Sequence, residues 1–128
     1  MAAKSNDNCV VLKLTDGAVS VLLTGDIEEA GLPWLLRERD ALHSTVLKIP
    51  HHGSRLGQVG AKFFTAVRPQ LAILSVGHLH HLPSPETVRA IGRTGVRLYS
   101  TRDDGDIQLR TDGMRLQVRT FRFPQREL

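Results

Sequence analysis

The sequence predicts an α/β (α+β) fold in which a mixed sheet is covered by helices, and three observations carry that expectation. Short apolar runs alternate with single helical patterns along the 128 residues, the arrangement of parallel strands joined by helices. Asp-Gly turns at Asp16-Gly17 and Asp112-Gly113 sit between alternating segments and predict an antiparallel hairpin near each end. The run Leu71 to Val76 is apolar but for Ser75, as expected of a strand buried on both faces.

Taken in order, Asp7 to Leu14 reads as a strand with both faces partly buried, and Cys9 within it as a small core residue. Val19 to Leu23 returns as the second strand. Ile27 to Ala41 carries Leu32, Trp34, Leu35 and Leu36 among acids and arginines. This is an amphipathic helix whose main part starts near Pro33, since proline suits a first turn. Thr45 to Ile49 is a strand, Gly57 to Gly60 a mobile loop, and Ala61 to Val67 a short helix ended by Arg68-Pro69.

After the Leu71 to Val76 strand, Ser84-Pro85 is an N-cap followed by a first-turn proline. The helix it opens has Val88, Ala90 and Ile91 inside and ends at Gly95. Val96, Leu98 and Tyr99 form a strand that turns at Asp103 to Asp106. Ile107 to Val118 is the closing hairpin, and the residues from Pro124 to Leu128, like Met1 to Ser5, are expected to be disordered tails of one single domain over 1–128.

Composition narrows the function. With 41% hydrophobic and 23% charged residues the chain is an ordinary globular one, and the sequence holds no apolar run of the roughly 20 residues that spans a bilayer. A soluble domain, or a soluble piece of something larger, is expected. A single cysteine excludes an internal disulfide and a cysteine zinc finger. The net charge of +4 derives mostly from arginines of the second half, which suit either a polyanionic partner or a solvated face.

The chemistry gathers at strand ends. Val46-Leu47-Lys48-Ile49-Pro50-His51-His52-Gly53-Ser54 is a buried strand that stops at a proline and delivers two histidines into a loop. The upstream strand ends on Thr24-Gly25-Asp26. Asp26 is placed to coordinate a cation and is equally suited to cap the segment from Ile27. Neutral imidazole is the usual nitrogen ligand of zinc and similar metals, so Asp26 and His51 are the expected metal ligands, facing one cation. Gly53 permits close backbone approach and Ser54 can cap or contact an anion. A third cluster, His78, His80 and His81, follows the apolar strand. It offers a metal ligand, a general acid, a phosphate contact or merely exposed histidines.

With these residues laid out, the chain resembles the metallo-β-lactamase-type domain of ComEC, the DNA-uptake channel family of bacterial natural competence. The resemblance runs through Asn6-Asp7-Asn8, Leu22 to Asp26, Val46 to Ser54, Leu74 to Gly77, Pro83 to Glu86 and the Asp104-Gly105 turn. It implies an αββα sandwich with a two-metal hydrolytic site of zinc or manganese. Asp26 would bridge the two metals, and His51 would be a late histidine ligand. His52, with Ser54, Arg55 and Ser84, would contact phosphate, and His81 would stand in as the catalytic residue for a histidine that the family places directly before Pro-Ser-Pro. Here Leu82 holds that position. The implied activity is a phosphodiesterase that degrades the DNA strand not imported.

The family's His-x-His-x-Asp-His signature occurs nowhere in the sequence. The expected object is therefore the C-terminal half of the domain. It would lack its N-terminal half and the membrane channel segment, belong to an inner-membrane protein on the extracytoplasmic side, and be inactive by itself. An apolar sheet face left bare by the missing half is expected to drive homodimerisation or poor solubility. Two alternatives stand beside this: a nucleic-acid-binding module using the hairpin of Arg110, Arg115 and Arg119, and another hydrolase of the same fold.

Overall fold

The computed structural model describes residues 8–78, 81–122 and 126–127. Five strands form the main sheet in spatial order β1-β2-β3-β4-β5: β1 Leu12–Asp16, β2 Val19–Leu23, β3 Val46–Lys48, β4 Leu71–Leu74 and β5 Arg97–Ser100. The first pair is an antiparallel hairpin with Leu12 opposite Leu23, and each later pairing is parallel. Each parallel step crosses over through helix: α1 Leu32–Leu36 with a 3₁₀ turn at Arg39–Leu42, then α2 Gly57–Val67, then α3 Pro85–Gly92. A short α4, Thr101–Asp104, leads into a second sheet of β6 Ile107–Thr111, β7 Leu116–Thr120 and β8 Arg126–Glu127.

Side-chain alternation explains the layering. In β3, Val46 and Leu47 point to opposite faces and both are fully buried. Leu22, Leu47, Ala72 and Leu74 face the helices and pack with Phe63, Phe64, Val67 and Ile91. Val19, Val46, Leu71 and Tyr99 face the other way, onto Leu116 and Val118 of β7. The order is helices, large sheet, small sheet. The expected mixed α/β architecture is present, and strands buried on both faces require its two cores.

Several local expectations are corrected. β1 begins at Leu12 and all five of its residues are exposed; the β6–β7 turn meets the β1–β2 hairpin at its turn, where the Ala18 N–H donates to the Gly113 carbonyl at 2.7 Å. The face expected to be bare is covered over β3, β4 and β5 and open only at Val10, Leu12, Leu14 and Leu23. Gly57 to Gly60 is the first turn of α2, not a loop. Buried Leu56 at the N-cap lies against Gly60, where an added Cβ would stand 2.6 Å from the Leu56 Cβ, so glycine there is a packing requirement.

The helix expected to Ala41 stops after Leu36 and continues as a 3₁₀ turn. Trp34 is 69% exposed, with the Arg37 guanidinium 4.9 Å over its ring. Asp103-Asp104 lies in helix rather than a turn, since Asp104 Oδ2 accepts from the Ser100 N–H and Ser100 Oγ from the Arg102 N–H. Cys9 precedes β1, half-buried against the helix-side core, its thiol 3.6 Å from the Thr24 carbonyl. Of the expected tails, 1–5 and 124, 125 and 128 lie outside the described residues, and Arg126–Glu127 add a strand to β7.

Candidate metal and phosphate site

The C-terminal ends of β2, β3 and β4 lie side by side, so whatever follows them shares one rim of the sheet. Buried Thr24 donates its hydroxyl to the Lys48 carbonyl at 2.7 Å, fixing the exit of β2 to the end of β3. The Gly25 carbonyl then accepts from the His51 N–H and from Lys48 Nζ, both at 3.1 Å. These bonds hold Asp26 against the turn Pro50–Gly53. Lys48 is half-buried there. Burial lowers its pKa below the usual lysine value, and the nearby negative charge of Asp26 partly offsets that.

His51 and His52 both have left-handed backbones, at φ 47° and 55°. Such conformations cost a non-glycine residue of order 1–3 kcal/mol and persist where the surroundings dictate them. The next residue, Gly53, has φ 80°, and an added Cβ would stand 2.7 Å from Pro83 and 2.8 Å from Leu74. The turn is thus pressed against the segment before α3, to which Gly53 is bonded through the Ser84 N–H at 2.8 Å.

The strained turn sends the two imidazoles apart. His52 Nδ1 lies 2.7 Å from the Ser75 carbonyl, which only accepts, so Nδ1 carries a proton and, in the neutral ring, Nε2 presents a lone pair. That Nε2 is 3.5 Å from Asp26 Oδ1. Two acceptors facing across this gap fit a shared cation, whether a proton or a metal: ligands about 2.0–2.2 Å from a tetrahedral ion lie near this separation. His51 Nδ1 stands 3.4 Å from Glu28 Oε1 and is buried with no hydrogen bond among the described residues. Asp26 thus stands within ion-pair distance of His52, and His51 within that distance of Glu28.

The remaining expected residues divide. Ser54 binds through its backbone, its N–H to the His51 carbonyl and its own carbonyl to the Thr87 hydroxyl. Arg55 pairs with Glu86 at 2.9 Å on the surface and is turned to α3 rather than to the rim. Ser84 is the N-cap of α3 as expected, without a side-chain capping bond. His78 and His81 are exposed, and His80 lies outside the described residues. Among the described residues no group of three or more His, Cys, Asp or Glu is arranged to hold one ion.

Beside His52 opens a cleft of about 330 Å³ lined by Ser75, Val76, Gly77, Leu82 and Thr101. Three participants were not legible. Glu28 sits two positions past Asp26, on the same chain exit, which is a signal in hindsight. Lys48 reads as an interior strand residue, and the Ser75 carbonyl is backbone, which no residue type announces.

No family model and no solved structure matches the chain. Among curated proteins it is 33% identical over 110 residues to ComE operon protein 3 of Bacillus subtilis, covering 84% of this chain and 14% of that protein. It is 32% identical over 124 residues to competence protein ComA of Neisseria gonorrhoeae, covering 92% and 18%. Recombination protein 2 of Haemophilus influenzae is 29% identical over 122 residues, covering 94% and 15%. The chain thus spans less than a fifth of the length of these relatives. No helix among the described residues is long and apolar enough to cross a membrane. The chain belongs, over this segment, to the ComEC family of competence proteins.

Proposed function

We propose that this chain is the part of a DNA-uptake protein of natural transformation that holds a divalent cation for phosphodiester hydrolysis. The observation that carries the reading is the pair Asp26 Oδ1 and His52 Nε2, 3.5 Å apart, with the histidine tautomer fixed by the Ser75 carbonyl. A backbone or carboxylate partner on the far nitrogen is the usual support of a metal-binding histidine. Zinc or manganese bound there supplies Lewis acidity toward the phosphodiester. Asp26 and His52 hold it, Lys48 keeps Asp26 in place through Gly25, and the adjoining cleft receives the substrate.

The family membership supports a role in competence. On this reading the substrate is DNA, and the activity is a nuclease acting on the strand that is not imported. On this reading the three layers seen here are the C-terminal half of a metallo-β-lactamase-like αββα sandwich. The other half supplies the remaining metal ligands, and the assembled domain faces the extracytoplasmic side of the inner membrane. Two side chains bind an ion weakly and leave a two-metal site incomplete, so the 128-residue chain does not cleave DNA by itself.

Isothermal titration of zinc and of manganese into the chain tests the cation site. One bound ion per chain, lost in both Asp26→Ala and His52→Ala, is expected. Binding untouched by either substitution, or no binding at millimolar metal, would overturn it.

A further inference from the structure

The β6–β7 hairpin is a basic stretch of the chain. From Ile107 to Arg122 it carries Arg110, Arg115, Arg119 and Arg122 against one acid, Asp112. That carboxylate is occupied, accepting from the N–H groups of Met114 and Arg115 at 2.9 and 2.8 Å. Strand alternation turns Leu116 and Val118 inward to the core and leaves Gln117 and Arg119 exposed, with Gln108 and Arg110 exposed on β6. The register sets Gln108 opposite Arg119 and Arg110 opposite Gln117. The outer face of the hairpin therefore presents guanidinium and amide groups. Among the residues whose side chains are described, neither Arg110 nor Arg119 pairs with a carboxylate, and Glu127 of β8 stands opposite Gln117.

An aromatic ring stands at one end of this face. Phe121 is 80% exposed and, with Asp106, Gln108, Arg119 and Thr120, lines a cleft of about 280 Å³. Arginines that meet successive phosphates, next to a ring on which a base can stack, are the two components of single-strand recognition. A duplex keeps its bases paired and cannot use Phe121. The Asp106 carboxylate in the same cleft disfavours a phosphate there and leaves the ring end to a base.

We propose that the outer face of the β6–β7 hairpin binds single-stranded nucleic acid, with phosphates on Arg110 and Arg119 and an unpaired base on Phe121. The surface lies on a different sheet from Asp26 and His52 and needs no metal, so it stands whether or not the cation site does.

Anisotropy of a fluorescein-labelled oligothymidylate, titrated with the chain in EDTA over a range of salt, tests it. Affinity is expected to fall as salt rises. In Arg110→Gln/Arg119→Gln the slope of log K on log salt drops by about 1.4, since each single-strand phosphate contact contributes about 0.7. Phe121→Ala weakens binding roughly tenfold with the slope unchanged. Arg89→Gln/Arg93→Gln, which removes the same charge from α3 and its C-cap, leaves the slope unchanged. The proposal fails if the hairpin variant keeps the wild-type slope or the α3 variant lowers it equally. It also fails if a duplex binds as tightly, or if polyglutamate of equal charge displaces the oligonucleotide as well as unlabelled strand does.

Discussion

His51 and His52 are neighbours in sequence, share a left-handed turn and end in different chemistry. His52 has one ring nitrogen on a backbone carbonyl and the other aimed at a carboxylate from the next strand. His51 has a buried Nδ1 that faces Glu28 without a hydrogen bond. The first ring is fixed in tautomer and direction, as a metal ligand needs to be. The second has no hydrogen bond on its Nδ1 to set its tautomer among the described residues. The comparison teaches that a histidine pair is resolved by the partner of the far nitrogen, and that partner here is Ser75, just past β4 and 23 residues downstream of His52.

Breaking the His52 side has the largest expected effect. His52→Ala and Asp26→Ala each weaken zinc binding at least about 100-fold in calorimetry, whereas His51→Ala changes it by less than about tenfold. Gly53→Ala comes next. It forces a side chain into a φ 80° position already in contact with Pro83 and Leu74, and is expected to lower stability by about 1–3 kcal/mol in urea denaturation while misplacing His52.

A third substitution sharpens the role of Lys48. Lys48→Met removes its bond to the Gly25 carbonyl and weakens zinc binding by up to about tenfold, as loss of an outer support does. It also reports through pH. The folded pKa of Lys48 lies below 10.5 because of burial, so the unfolded chain holds more protons between the two values. Stability therefore rises as pH increases through that alkaline window, and thermal melts of Lys48→Met lose this rise.

The smallest effect belongs to Asp112. The backbone N–H groups of Arg115 and Met114 hold its carboxyl below the usual range. Its contribution is present above pH 3.8 and lost as pH falls through the lower folded value. Asp112→Asn should trim stability slightly at neutral pH and flatten the acid limb of the melting curve.

What the sequence made legible follows from local rules. The parallel strands, the Ser84-Pro85 helix start and both Asp-Gly hairpins are each decided within a few residues, and the structure has them. The convergence of β2 and β3 on Asp26 and the histidine turn was equally readable, because each apolar strand runs straight into a short polar exit, Thr24-Gly25-Asp26 and Pro50-His51-His52. Which histidine Asp26 meets was not. That depends on two left-handed backbones and on a carbonyl beyond the end of β4, all non-local. β1 was misjudged for the same reason, since its apolar alternation is genuine while all five of its residues are exposed. α2 was placed late because Gly57 and Gly60 read as loop, whereas Gly60 makes room for Leu56.

The central claim is that Asp26 and His52 face a common cation. Two-dimensional long-range ¹⁵N–¹H spectra of the histidine rings, recorded while zinc is added, test it most directly. The account predicts that His52 starts as the Nδ1–H tautomer and that zinc shifts its Nε2 resonance, with no shift in Asp26→Ala. A His52 ring protonated on Nε2, or a zinc-induced shift on His51 with His52 unmoved, would contradict it.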